Sequence, residues 1–144
     1  MKAFLVFPFV FMLAMSCSSG QSNSTSSAAN IAATRIELID FYGTHRCETC
    51  MAIEANSKYT VDTYFQDALK SGKLLFKTVN VDEEKNYALA EKFEAAGTSL
   101  FINVIKDGQE QHIDLTNFAF EKGRDQEAFS AELKQKIEEQ LKAL

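Results

Sequence analysis

The passage from Arg35 to Cys50 constrains this chain most. Arg35-Ile-Glu-Leu-Ile-Asp-Phe-Tyr42 alternates at first and becomes continuously apolar around Ile39, the pattern of a strand entering a core. Gly43-Thr44 breaks it, and Cys47-Glu48-Thr49-Cys50 follows at the head of a segment with helical periodicity. That helix is expected from Cys47 to about Leu69, with Met51, Ile53, Ala55, Tyr59, Val61, Tyr64, Phe65 and Leu69 forming a broad apolar face. Ser71-Gly72 ends it, glycine taking the C-terminal capping role.

The remaining elements follow from the same signals. Leu74 to Val81 reads as a second strand. Asp82 to Ala96 reads as a helix with Tyr87, Leu89, Ala90 and Phe93 inward and Gly97 as its stop. Leu100 to Ile105 is a third strand. Asp107-Gly108 then signals a two-residue hairpin, because both residues tolerate positive φ, and the return strand spans about Glu110 to Leu115. Asn117 to Arg124 reads as a long connection over one sheet edge. A last helix starts at an Asp125 N-cap and runs to about Lys142, with Phe129, Leu133, Ile137 and Leu141 inward. The order is β-α-β-α-β-β-α. Strands joined through helices run parallel and the hairpin adds an antiparallel partner, so the expectation is a four-stranded mixed α/β sheet with helices on both faces.

A strand ending Ile39-Asp40-Phe41-Tyr42, a short turn and a Cys-x-x-Cys opening a helix resemble the thioredoxin superfamily. Asn80-Val81-Asp82 resembles the Asn-Ile-Asp that closes the next strand in typical thioredoxins, and Lys106-Asp107-Gly108 resembles their Lys-Asn-Gly hairpin. The resemblance covers residues 35–144 and lacks only the extra N-terminal strand and helix of full thioredoxins. It implies a three-layer thioredoxin-like sandwich and exchange of disulfides with a protein or small-molecule substrate. It also implies that Asp40 helps move the proton of the second cysteine, although the turn between Asp40 and Cys47 is one residue longer than usual.

Physical chemistry points the same way. Residues three apart share a helix face, so the two sulfurs can close a small disulfide ring. Unpaired N–H groups and the helix dipole at the N-terminus stabilise a Cys47 thiolate, with Arg46 adding positive charge and Glu48 opposing it. The expected pKa lies below the free value of about 8.5 and within the roughly 3.5–7.5 range of activated cysteines. Cys47 is then the attacking thiol and Cys50, one turn deeper, the resolving thiol.

Three departures from the thioredoxin pattern shape the candidate site. The sole proline is Pro8, so the cis-proline of thioredoxins is replaced at Leu100 or Ser99, and a trans bond or a rearranged loop is expected there. Thr98 and Ser99 hydroxyls are candidates for contacting a thiolate or substrate instead. Arg46 occupies the slot of the usual tryptophan and puts charge where a flat apolar surface is typical, while His45 shapes access. Lys77 lies five residues before Asp82 rather than four, so strand alternation turns it to the other face and it takes no catalytic role.

The first 34 residues carry a different message. Met1-Lys2 precedes an apolar run from Ala3 to Met15, 13 residues and short of the roughly 20 that span a bilayer. Residues 1–16 therefore read as a signal peptide. Leu13-Ala14-Met15-Ser16-Cys17 resembles a bacterial lipobox, which implies cleavage before Cys17 and lipidation of that cysteine. Several acyl chains anchor stably, since each buried methylene contributes about 0.8 kcal/mol. Residues 17–34, rich in Ser, Asn and Ala, form a flexible tether. The domain at 35–144 is expected on the bacterial cell envelope, membrane-anchored through Cys17 and facing the periplasm or exterior.

A net charge of −5 without a basic run disfavours nucleic acid as a partner. No cofactor is assigned, and no metal. Two other readings stay open at this stage. One is metal or cluster binding by Cys47 and Cys50, which needs further ligands from His45, His112, carboxylates or a second subunit. The other is a redox-inactive binding adaptor on the same scaffold.

Overall fold

The computed structural model describes residues 34–144. The signal peptide at 1–16, lipidation at Cys17, and the tether up to residue 33 lie outside the described residues. The elements are β1 (Arg35–Tyr42), α1 (Glu48–Tyr64), α2 (Gln66–Lys70), β2 (Leu74–Asn80), a 3₁₀ turn (Glu84–Asn86), α3 (Tyr87–Lys92), β3 (Ser99–Lys106), β4 (Gln109–Asp114), α4 (Thr116–Lys122) and α5 (Gln126–Ala143).

The sheet order is β2-β1-β3-β4. β1 pairs parallel with β2, and antiparallel with β3, which pairs antiparallel with β4. This is the expected four-stranded mixed α/β sheet. Strand alternation sorts β1 between two cores. Ile36 and Leu38 pack with Ile53 of α1, Ala119 of α4, and Phe129, Leu133 and Ile137 of α5. Ile39 and Phe41 pack on the opposite face with Val79, Phe93 and Phe101, where Leu89 of α3 joins them. Asp40 shares the parity of Ile36 and Leu38, so its side chain lies under α1. Lys77, opposite Ile39 in the register, lies on the other face and pairs with Glu37 at 2.9 Å. The hairpin forms as its sequence demands, with φ of 54° at Asp107 and 76° at Gly108. Asp125 caps α5 by accepting the Ala128 N–H at 3.0 Å. No helix among the described residues is long and apolar enough to cross a membrane.

The structure corrects four expectations. The helix expected from Cys47 to Leu69 breaks at Phe65, whose φ of −128° and ψ of 27° leave the helical region. The buried face of α1 is also more polar than expected. Ile53 and Val61 are buried, but so are Asn56, Ser57 and Thr60, while Met51, Ala55, Tyr59 and Tyr64 are exposed. Asn56 tolerates burial because its amide donates to the Gly123 carbonyl at 2.9 Å and its oxygen accepts from Gln126 at 3.2 Å.

The helix expected over Asp82–Ala96 shrinks to a 3₁₀ turn and the six residues of α3, with Tyr87 exposed rather than inward. Asp82 does not cap it, because its carboxylate accepts the Thr44 N–H at 2.6 Å across the sheet end. Finally, the connection at 117–124 contains α4, whose Ala119 is buried and whose Phe118 packs on Phe129 at 5.0 Å between ring centroids.

Candidate functional site

β1 ends at Tyr42 and hands the chain to a loop, 43–47, that is held from two sides. Asp82 accepts the Thr44 N–H, a bond that holds the Asp82 carboxyl below its usual range. Asn80 adds a 3.4 Å contact to the Thr44 hydroxyl. His45 stays exposed at the tip. Cys47 follows in extended conformation as the N-cap of α1, and its sulfur accepts the Cys50 N–H at 3.1 Å. Cys47 and Cys50 form a disulfide with their Cα atoms 5.0 Å apart. Cys47 is exposed, whereas Cys50 is only 8% exposed. The sulfur at the helix tip faces solvent and its partner faces the protein, because the first turn of α1 carries residue 50 back over β1.

Asp40 is fully buried on β1 and is linked to the turn carrying Cys50 through Arg46. Burial pushes its pKa up to about 7, with the nearby Glu54 charge adding to the rise and Arg46 opposing it. Its Oδ1 has no hydrogen-bond partner among the described residues. An ionised carboxylate left half-bonded away from water is costly, which favours the protonated form.

Arg46 does not reach outward. Its Nη1 pairs with Glu54 of α1, and its Nη2 donates to the Cys50 carbonyl at 3.1 Å and lies 3.5 Å from Asp40 Oδ2. The guanidinium carbon sits 4.4 Å from the Tyr42 ring centroid. The charge expected to face a partner is therefore spent inside the site. No motif marks Glu54 in the sequence, yet it lies four residues after Cys50, the spacing that places both on one helix face.

The beginning of β3 lies at the same end of the sheet, since Ser99 pairs with Phe41. Thr98 and Ser99 are half-buried and line an open cleft of about 330 Å³ with Phe93, Phe101 and Thr116. The Ser99 hydroxyl donates to the Gly97 carbonyl at 3.1 Å. No cis peptide occurs among the described residues. The N–H that a proline at Leu100 would lack donates to the Thr116 hydroxyl at 3.2 Å, and the Leu100 carbonyl accepts the Leu115 N–H at 2.8 Å. The strand start is thus tied to α4 on both backbone groups.

The corner between α4 and α5 closes over the first turns of α1. Arg124 donates to the Thr49 hydroxyl at 2.8 Å and lies 3.7 Å from Glu48, the two residues between the cysteines. Gly123 permits this approach: a Cβ there would stand 2.6 Å from the Ala119 carbonyl and 3.1 Å from the Thr49 methyl. No sequence signal marks Arg124, because its partners lie some 75 positions away.

His112 lies apart from this site, on the edge strand, stacked on Phe93 at 3.9 Å. Among the described residues no three His, Cys, Asp or Glu side chains converge as metal ligands.

Solved structures similar to this one include a thioredoxin from Thermus thermophilus, with TM-score 0.45 and 19% identity over 70% of this chain and 72% of that one. Fasciola hepatica thioredoxin gives a TM-score of 0.44 and 20% identity over 74% and 82%. Oxidised mitochondrial thioredoxin 3 from Saccharomyces cerevisiae gives 0.42 and 25% over 65% and 79%. No protein-family model and no curated protein sequence matches the chain.

Proposed function

We propose that this chain is a thiol–disulfide oxidoreductase that exchanges disulfides with protein substrates through Cys47 and Cys50. The reading is carried by the bond between an exposed sulfur at a helix N-terminus and a shielded one a turn below, linked through Arg46 to a buried carboxylic acid. In the reduced protein the Cys47 thiolate attacks a substrate disulfide. One S–S bond breaks, a substrate thiolate leaves and takes up a proton, and a mixed disulfide forms. Asp40, in its ionised form, then accepts the Cys50 proton. The Cys50 sulfur attacks Cys47, the mixed bond breaks, and the second substrate sulfur departs as thiolate. The substrate gains two electrons and the protein is left with its disulfide; the reverse sequence oxidises a substrate dithiol. Direction follows the relative potentials, each 30 mV being worth about 1.4 kcal/mol.

The substrate meets His45 and Cys47 on one side and the cleft of Thr98 and Ser99 on the other. Arg46 contributes from within rather than as a contact residue. Lipidation at Cys17 and the 17–34 tether would hold this domain at the bacterial envelope, an assignment supported by the lipobox-like sequence alone.

Turnover of insulin disulfides with dithiothreitol as the electron source tests the reading. The protein is expected to accelerate insulin precipitation well above the uncatalysed rate. A rate equal to that of dithiothreitol alone contradicts it.

A further inference from the structure

Arg46 is a single cation serving two carboxylates of unequal burial. Asp40 is fully buried, while the Glu54 side chain is 32% exposed. The guanidinium is in close contact with Glu54 but remains 3.5 Å from the nearer Asp40 oxygen. Its second anchor, the Cys50 carbonyl at 3.1 Å, fixes it against the helix turn that carries the resolving sulfur. Its Nη1 goes to Glu54 while its Nη2 goes to the Cys50 carbonyl and the Asp40 side, and its Nε has no hydrogen-bond partner among the described residues, so the guanidinium does not grip either carboxylate with two parallel bonds.

We propose that Glu54 is a positioning residue for disulfide exchange: by drawing Arg46 away from Asp40, it denies the buried carboxylate a full counter-ion and keeps it able to take up and release a proton. This rests on the reading of Asp40 as the proton acceptor for Cys50. With Arg46 turned wholly onto Asp40, the carboxylate would stay ionised and be a poor base. With no cation at all, burial would keep it protonated and unable to accept. Glu54 sets the balance between these limits. The charged groups acting on Asp40 are Arg46 from the loop and Glu54 from α1. Cys50 on α1 is held in the disulfide and does not titrate in that form, and the ladder partners Thr78 and Leu100 carry no charge.

The full chain in its disulfide form, with ¹³C-labelled aspartate, reports Asp40 protonation directly by NMR across pH 4–10. The same preparations yield a pH profile of insulin turnover. Wild type is expected to titrate at about 7. Glu54→Gln should lower that midpoint by about one pH unit or more, Arg46→Gln should raise it, and Glu54→Asp should return it towards wild type. The acid limb of turnover should move with the midpoint. Non-specific loosening would displace both glutamine variants the same way, and that outcome overturns the proposal, as does an unmoved midpoint in Glu54→Gln. Displaced midpoints with an unmoved turnover profile also overturn it, although exchange itself then stands. Absence of turnover in every form, wild type included, removes both this inference and the exchange reading.

Discussion

Cys50→Ser protein, reduced and mixed with a disulfide substrate, is expected to retain the substrate covalently on Cys47, whereas Cys47→Ser protein retains none on Cys50. The asymmetry follows from placement. Cys47 caps α1, exposed, with the Cys50 N–H aimed at its sulfur and the helix dipole behind it. Cys50 is shielded by the turn above β1. A substrate sulfur therefore reaches residue 47 first, and only the sulfur at 50 is poised to release it. Removing the second sulfur leaves the intermediate without its resolving nucleophile, so the adduct should accumulate towards one substrate per chain and vanish on adding dithiothreitol. Mass spectrometry of the unreduced protein reads both outcomes. Equal trapping by the two variants would contradict the assigned roles.

Asp40→Asn should have the second-largest effect, and on two properties at once. The Asp40 carboxyl has its pKa raised from 3.8 to about 7 in the folded chain. Between those values the folded state binds a proton that the unfolded state does not. That contribution to stability is fully present below about 4 and is lost progressively as pH rises through about 7. Above pH 7 the chain carries a buried carboxylate that costs about 4 kcal/mol relative to a neutral group, at about 1.4 kcal/mol for each of the roughly 3 pH units of displacement. Asparagine removes the charge while Glu54 retains Arg46. Denaturant melts at pH 8 should therefore show the variant more stable by roughly that amount, with the gain shrinking towards pH 4. Exchange should suffer in the opposite sense. Without a base for the Cys50 proton, resolution of the mixed disulfide should slow by about 10²-fold, the lower end of what a positioned acid–base group supplies. A variant no more stable at pH 8 and undiminished in resolution would remove Asp40 from the mechanism.

The parts of this molecule legible in the sequence are those fixed by near neighbours. β1 and its handover to the cysteines, the Asp107-Gly108 hairpin and the Asp125 cap of α5 each depend on a few consecutive residues, and each stands where its signals put it. The side of the sheet taken by Lys77 followed from alternation alone. What escaped depends on distant partners. Asn56, Ser57 and Thr60 are buried in place of Met51 and Tyr59 because the Gly123 corner and α5 dock on that side of α1, and no periodicity within α1 reveals it. α4 has Leu115 at its N-cap, which offers no side-chain cap, and is too short for a periodic signal.

Within the site, the cysteines and Asp40 were visible from motif and strand pattern. The inward turn of Arg46 was not, since it requires Asp40, Glu54 and the Cys50 carbonyl to converge from three separate stretches of chain. Thr116 and Arg124 reach the site only through the return of the chain after β4.

The most direct test is redox equilibration of the full chain against graded ratios of reduced to oxidised glutathione, followed by acid quenching, alkylation and mass analysis. The account predicts reversible interconversion of a form alkylated at both Cys47 and Cys50 and a form alkylated at neither, along a single two-electron curve approached identically from either end. A bond that stays closed at every ratio, or two thiols that stay open at every ratio, would contradict it.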